Sequence, residues 1–408
     1  MREALAAALA LEAVGASAGN ATIARGAFEG NAVRAAFVEN RTASGSIGVV
    51  EAERLAALFR VCAIERSPLV LFLDSAGAKV SEGLAALGGF RALFRAGLEA
   101  ALAGAPIAAV LGRNCFGGAS MLAHLAARRL YSPDTRLAMS GPAVIAAATG
   151  MDPLDEMFRA MAEAAMSPAA RAKASPANRP WDGEGDLAPW LREALAPVPD
   201  ASAAFRERHE ALAARFGRPL QAPAWEAVRR RDLERIYPGG YEAREFQGLL
   251  EGTGRTDAGE ERFLGVVGEK LPLAAERAWR FADRAWEAQG PALRIFLDCA
   301  SHATRLDEEK LVLTEYVVDM SVALAAAARR GCAARLTVLG KAGGGVYVAL
   351  AAPAERVTSV YGADIQVLPA SAVATILGER NESLPSFESY RAAHVADDEL
   401  KLGIAPRT

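Results

Sequence analysis

Two short apolar runs constrain this chain more than any other feature: PLVLFLDSAG at 68–77 and PALRIFLDCA at 291–300. Each is an unbroken hydrophobic stretch closed by an aspartate and small residues. A strand buried on both faces of a parallel sheet reads this way, because no position can be spared for water. Asp74 and Asp298 therefore correspond. The likeness continues downstream, where VLG at 110–112 recurs at 338–340. The same offset of 228 carries Gly117 to Gly345, Arg128 to Arg356 and Gly150 to Gly378.

Upstream the match is looser. AVRAAFVENRTASGSIGVVEAERLAALFRVC and ERFLGVVGEKLPLAAERAWRFADRAW each pass from alternating apolar residues into a helix. In the first, Leu55, Leu58, Phe59 and Cys62 share one helical face, while Glu53, Arg54 and Arg60 lie away from it. Each half reads strand, strand, helix, buried strand, loop, helix, buried strand, glycine turn, helix, strand, which predicts a layered α/β unit built twice. Proline, glycine and charge replace the periodicity between about 166 and 240, with a helix-like interlude from Phe205 to Phe216. Three segments are expected: a domain over 1–165, a connector over 166–235 with its boundary near 230, and a domain over 236–408.

The 408 residues are 52% apolar and 23% charged, so a large core needs no staples. With 46 Lys and Arg against 49 Asp and Glu, net charge −3 gives no reason for a nucleic-acid partner. Cys62, Cys115, Cys299 and Cys332 lie far apart and form no zinc spacing with His124, His209, His302 and His394. A metal-free protein of a reducing, cytoplasmic compartment is expected. The start, MREALAAALALEAVGASA, resembles a signal peptide only superficially, since Glu3 and Glu12 interrupt it, and it is read as an alanine-rich helix. Nowhere do about 18 apolar residues run together, so no membrane span is expected.

VLGRNCFGGASMLA (110–123) places Gly117 and Gly118 between a buried strand and a helix. Bare glycines there leave backbone N–H groups uncovered at the positive end of a helix dipole. DSAGAKVSEG, after the preceding strand, offers further N–H groups at Ala76, Gly77 and Ala78, on the same sheet edge. Two N–H groups on one carbonyl oxygen make an oxyanion hole. The alternative is that the glycines only allow close helix–sheet packing; their repetition as GKAGGGVYVAL favours function. A phosphate loop is excluded because Gly118 and Ala119 stand where Lys and Ser/Thr are required. A nucleophile elbow fails because Ser120 lacks the closing glycine.

At these residues the chain resembles the carboxyltransferase family, crotonase-related enzymes that include the carboxyltransferase components of acyl-CoA carboxylases and the biotin-independent malonate decarboxylases. NRTASGSIG (40–48), DSAGAKVSEG (74–83), CFGGASMLA (115–123) and RLAMSGPAVI (136–145) are similar to its G-S-x-G turn, S-G-G-A-R-x-x-E-G loop, Y/F-G-G-x-S segment and G-x-x-G-P-x-V-I segment. FLGVVGEKLPLAAERAWRFADRAW and GKAGGGVYVALAAPAERV resemble the gamma component of malonate decarboxylase. Lys79 and Ser75 depart from the loop pattern. A four-cysteine zinc ribbon and a biotin-attachment lysine are both missing.

The resemblance implies two crotonase-like units in tandem, a pseudo-dimer, with beta- and gamma-like halves fused. It implies biotin-independent decarboxylation of a malonyl thioester on coenzyme A or an acyl carrier protein, through an enolate held in an oxyanion hole. No covalently bound cofactor is implied; phosphopantetheine is the carrier. Gly77, Gly117 and Gly118 would form one hole, Gly344 and Gly345 the other, and His302 is the candidate proton donor. Ala76 and Ala78 would flank the substrate, Lys79 and Arg113 would meet a carrier phosphate, and Ser120 would sit beside the acyl group, although a helix-start serine has a ready structural role. His124 is read as packing. An acyltransferase subunit and further copies of the chain are the expected partners. The rivals are a biotin-dependent carboxyltransferase and a non-catalytic scaffold for an acyl carrier protein. A crotonase-type hydratase would need active-edge glutamates, of which only Glu82 is near.

Overall fold

The computed structural model describes residues 1–257, 259–368, 373 and 385–402. Its first half contains β1 (Ala21–Phe28), β2 (Asn31–Val38), α1 (Val49–Glu65), β3 (Leu69–Ser75), α2 (Gly83–Leu102), β4 (Ile107–Phe116), α3 (Gly118–Ala123), β5 (Arg128–Tyr131) and β6 (Arg136–Ala138). The second half repeats them as β7 (Leu249–Thr256), β8 (Gly259–Val267), α4 (Ala275–Trp286), β9 (Ala292–Cys299), α5 (Leu313–Arg329), β10 (Ala333–Gly343), α6 (Gly344–Ala351), β11 (Arg356–Val360) and β12 (Asp364–Gln366). In one sheet the order is β1-β2-β3-β4-β5 with β6 beside β4; in the other it is β7-β8-β9-β10-β11 with β12 beside β10. Among these strands the first pair of each sheet is antiparallel and the others are parallel. The chain is thus a mixed α/β fold with two sheets of one plan.

β3 shows why its sequence is uniformly apolar. Leu69, Leu71 and Leu73 point into a core shared with the second half, while Val70 and Phe72 point into a smaller cluster on the opposite face. The predicted face of α1, Leu55, Leu58, Phe59 and Cys62, is buried in the shared core. That core also takes in Met320 and Val346 of the second half, so the two sheets are joined by one continuous apolar interior rather than by a wet interface.

The gapless offset of 228 needs correction. Leu73 pairs with Leu111 and Ser75 with Cys115, while Leu297 pairs with Val338 and Cys299 with Ala342, so an identical irregularity places the strands 227 apart. Gly117, which caps α3, and Gly344, the first residue of α6, both have positive φ, +53° and +50°, which glycine adopts without strain. Gly117 therefore matches Gly344, and Gly118 matches Gly345. From Arg128 and Arg356 onward the offset is 228, the extra residue having been taken up around α6. Gly378 lies outside the described residues.

The expected connector is not a separate piece. Asn178–Pro180 adds a parallel strand to β5, and Glu226–Ala227 joins the second sheet through the strand Tyr241–Phe246. A three-residue strand ending in proline leaves no readable period. The helix Ala201–Ala214 does form, and its His209 lies between Asp283 of α4 and Asp319 of α5, stacked on Trp279 with ring centroids 5.0 Å apart. The alanine-rich start forms the helix Arg2–Ala8, and Leu5 joins the cluster containing Phe72. No helix among the described residues is long and apolar enough to cross a membrane.

Candidate active site

In both halves an aspartate at the end of the central strand ties the next strand down. Asp74 Oδ1 accepts the Asn114 N–H at 3.0 Å, and Asp298 Oδ1 accepts the Lys341 N–H at 2.9 Å. Beyond the aspartate each loop is pinned to a strand-like partner: Ile47 bridges Ala78, and Leu273 bridges His302. Ala78 and His302 thus hold the same place in the two halves.

These constraints use most of the loop's hydrogen-bonding groups and leave a few. The Ala76 N–H donates to Ser44 O and the Gly77 N–H to Ser75 Oγ, so neither is available as expected. The Gly117 N–H likewise donates to Ala138 O and Met139 O. In contrast, the Ala78 N–H meets no acceptor among the described residues, and Gly118 opens α3, where first-turn N–H groups have no partner within the helix. Gly118 needs to be glycine for a packing reason as well, since a Cβ there would strike the ring of Phe90. In the second half the His302 N–H similarly meets no acceptor among the described residues and Gly345 takes the place of Gly118, while Gly343 pairs with Gln366 as Phe116 pairs with Ala138, so Gly344 is the counterpart of the engaged Gly117.

Both corners open on one cavity of about 310 Å³. Ala76, Ala78, Gly117 and Gly118 line it from the first half, and Ser301, His302, Gly344 and Gly345 from the second. Phe90, Phe116, Met121 and Val348 supply apolar wall, and no Lys, Arg, Asp or Glu is among the described lining residues. Gly345 faces Met139 and Met121 across the seam, so the cavity sits where the halves meet.

Other expected residues fall elsewhere. Ser120 is fully buried, its Oγ donating to Gly117 O at 2.7 Å and lying 3.1 Å from Thr314 Oγ1; it clamps α3 to α5 and does not reach the cavity. Lys79 pairs with Glu82 at 2.8 Å, and Arg113 is exposed on β4; neither lines the cavity. Gly77 stands behind the wall, against Phe116 O and the Gly118 nitrogen. His124, at the end of α3, sets Nδ1 2.8 Å from Ser120 O and is packing. Among the described residues no group of three or more His, Cys, Asp or Glu side chains is placed to hold a metal ion.

Two lining or supporting residues were not singled out by the sequence reading. Ser140 lies in RLAMSGPAVI, and its Oγ is 2.8 Å from His302 Nε2. Glu309, fully buried, accepts the Ser140 N–H at 3.0 Å and pairs with buried Arg171 at 3.4 Å. Burial raises the Glu309 carboxyl to about 7 against the pull of Arg171. Burial also drives His302 down to about 4, so its imidazole is neutral at pH 7 and the expected role of cationic proton donor does not suit it.

Residues 5–167 match the family model described as the carboxyl transferase domain. Over 145 residues the chain is 30% identical to the methylmalonyl-CoA carboxyltransferase 12S subunit of Propionibacterium freudenreichii subsp. shermanii, which is 35% of this chain and 27% of that protein. Over 107 residues it is 36% identical to the carboxyltransferase subunit of a propionyl-CoA carboxylase from Haloferax mediterranei, covering 26% of this chain and 20% of that one. The chain thus spans about a quarter of the length of the curated relatives it matches. Among solved structures, a transcarboxylase 12S hexamer with methylmalonyl-coenzyme A and methylmalonic acid bound aligns with 98% of this chain and 86% of its own, at 18% identity and a TM-score of 0.42. A Pseudomonas malonate decarboxylase hetero-tetramer in complex with malonate aligns with 51% of this chain and 88% of its own, at 20% identity and a TM-score of 0.44.

Proposed function

We propose that the cavity binds a malonyl-type thioester, carried by coenzyme A or an acyl carrier protein, and releases its carboxyl group as CO₂ without biotin. In this reading the two sheets are tandem crotonase-like units forming a pseudo-dimer. Loss of CO₂ leaves an enolate whose charge rests on the thioester oxygen. Donors aimed at that oxygen stabilise the transition state more than the ground state. The Ala78 and Gly118 N–H groups are one such pair, and those of His302 and Gly345 are the other. The observation that carries the reading is that both duplicated corners line one cavity.

The uncharged lining adds a second element. A malonyl carboxylate meets no cationic side chain among the described lining residues, so it gains little there and loses its hydration. Its departure as neutral CO₂ relieves that cost. Water entering the cavity then protonates the enolate, His302 being neutral.

Transfer of the carboxyl group to biotin on another protein is the second reading, favoured by the names of the curated relatives. Incubating the full chain with malonyl-CoA, and separately with malonyl-acyl carrier protein, each with and without biotin, distinguishes the two. Biotin-independent CO₂ with the acetyl thioester is expected. A strict need for biotin, with carboxybiotin formed alongside the acetyl thioester, replaces the proposal by the second reading, and no acetyl thioester from either carrier under any of these conditions refutes both.

A further inference from the structure

Decarboxylation as proposed uses no nucleophile, yet the cavity holds a serine paired with a histidine. Ser140 lies between β6 and the helix Pro142–Thr149, and His302 follows β9, so the pair is assembled from opposite halves 162 residues apart. Ser140 Oγ and His302 Nε2 are 2.8 Å apart, both residues line the cavity, and they are only 5% and 8% exposed. No other hydrogen bond to the Ser140 hydroxyl is present among the described residues. Its backbone is held independently, the N–H donating to Glu309, which Arg171 holds in turn. A serine fixed through its main chain, with its hydroxyl turned to an imidazole beside free N–H donors, has the parts of an acyl-transfer site.

We propose that Ser140 is a nucleophile that accepts an acyl group from a thioester or activated ester in this cavity, with His302 as its base, giving the protein an acyl-enzyme-forming, slowly hydrolytic activity. The inference rests on the cavity being an acyl site, as in the decarboxylase reading, and on nothing else in it. With the His302 proton on Nδ1, Nε2 accepts the Ser140 hydroxyl. Oγ attacks the carbonyl carbon and forms the Oγ–C bond while its proton passes to Nε2. The corner N–H groups receive the oxyanion. The C–S bond then breaks, and the thiolate leaves with that proton as a free thiol. Water attacks the acyl-serine next, giving its proton to Nε2. The Oγ–C bond breaks, and Ser140 regains a proton as the carboxylic acid departs. Thioester and water thus become acid and thiol, with no oxidant or reductant.

His302 Nδ1 has no hydrogen-bond partner among the described residues, so no carboxylate supports the imidazolium as the third member of a triad does. Deacylation is therefore slow, and the acyl-enzyme accumulates.

The test is p-nitrophenyl acetate added to the full chain, with nitrophenolate release followed and the acetyl group located by peptide mass spectrometry. A burst of about one equivalent, followed by slow turnover, is expected, with the label on Ser140. Ser140→Ala should lose burst and label. Ser140→Cys, which keeps a nucleophile in nearly the same volume, should carry the label on the cysteine. His302→Gln should slow the burst by about 100-fold. Melting curves of the variants show that they are folded. No burst in the parent, a label elsewhere, or an undiminished burst in Ser140→Ala overturns the proposal. CO₂ release from malonyl-CoA is read on the same preparation. Decarboxylation without acetyl-Ser140 removes only the nucleophile, and acetyl-Ser140 without CO₂ removes only the decarboxylase.

Discussion

The loops after β3 and β9 are one backbone device carrying different side chains. Both begin with an aspartate that accepts a strand N–H, and both end with a glutamate that caps the neighbouring helix: Glu82 Oε2 takes the Val49 N–H at 2.8 Å, and Glu308 Oε2 the Ala275 N–H at 2.7 Å. Between these fixed points the first loop has Ala78 where the second has His302, and the residue after the capping glutamate is Gly83 in the first and Glu309 in the second. Both additions in the second loop reach Ser140 of the first half. The difference teaches that the duplicated part of the site is main chain, whose N–H positions survive substitution, and that the side-chain part is not duplicated.

The largest effect should come from breaking the feature that only one copy has. Arg171→Met leaves Glu309 buried without its cation and deprives Leu137 O and Glu309 O of their donor. Loss of one member of a buried pair costs about 3–5 kcal/mol, to be read from denaturant unfolding. If the change is below about 1 kcal/mol, the pair does not hold the halves together.

Next come the shared corners. Gly118→Ala should lower kcat for malonyl-CoA decarboxylation about 100-fold, comparable to removing an oxyanion donor, because Phe90 blocks the new methyl and the N–H must turn away. Gly345→Ala should cost about 10-fold, since it meets the flexible ends of Met139 and Met121. Equal losses would show that both corners hold the reacting oxygen equally; a reversed order would assign it to the second half.

His209 separates the halves by pH. Burial opposes its charge, yet hydrogen bonds to Asp283 and Asp319 raise it to about 9. A group raised in the folded state stabilises fully below its unfolded value near 6.5 and loses that contribution as pH climbs through about 9. Unfolding stability should therefore fall by about 3 kcal/mol between roughly pH 6 and pH 10, and His209→Asn should flatten that profile.

The smallest change is expected on the first loop's half-buried pair, Lys79 and Glu82. Lys79→Ala should alter stability by less than about 1 kcal/mol and KM for malonyl-CoA by less than about threefold. A KM increase of about tenfold would instead place Lys79 on the carrier phosphate.

The buried strands, the helix face of Leu55 to Cys62 and the two glycine corners were legible because burial on both faces and a bare strand-to-helix turn each leave a compositional mark. Which glycine matches which was not. GGG in the second half allows a gapless alignment to place glycine on glycine in either register, and only strand pairing distinguishes an offset of 227 from 228. Nor does sequence report that the Gly77 and Gly117 N–H groups are already engaged, because their acceptors come from Ser75 and the β6 end. Ser140 and Glu309 escaped notice for a related reason: a contact spanning 162 or 169 residues has no local period. Lys79, the cation nearest the loop motif, was legible as a charge but not as a partner of Glu82.

The cavity at the seam of a shared core has a kinetic corollary. Because one chain supplies both walls, their meeting is governed by a tether and not by how much of each is present, so the effective concentration of one wall for the other stays high at any dilution. Two walls made as separate chains of weak mutual affinity would part on dilution, and the cavity would be lost with them.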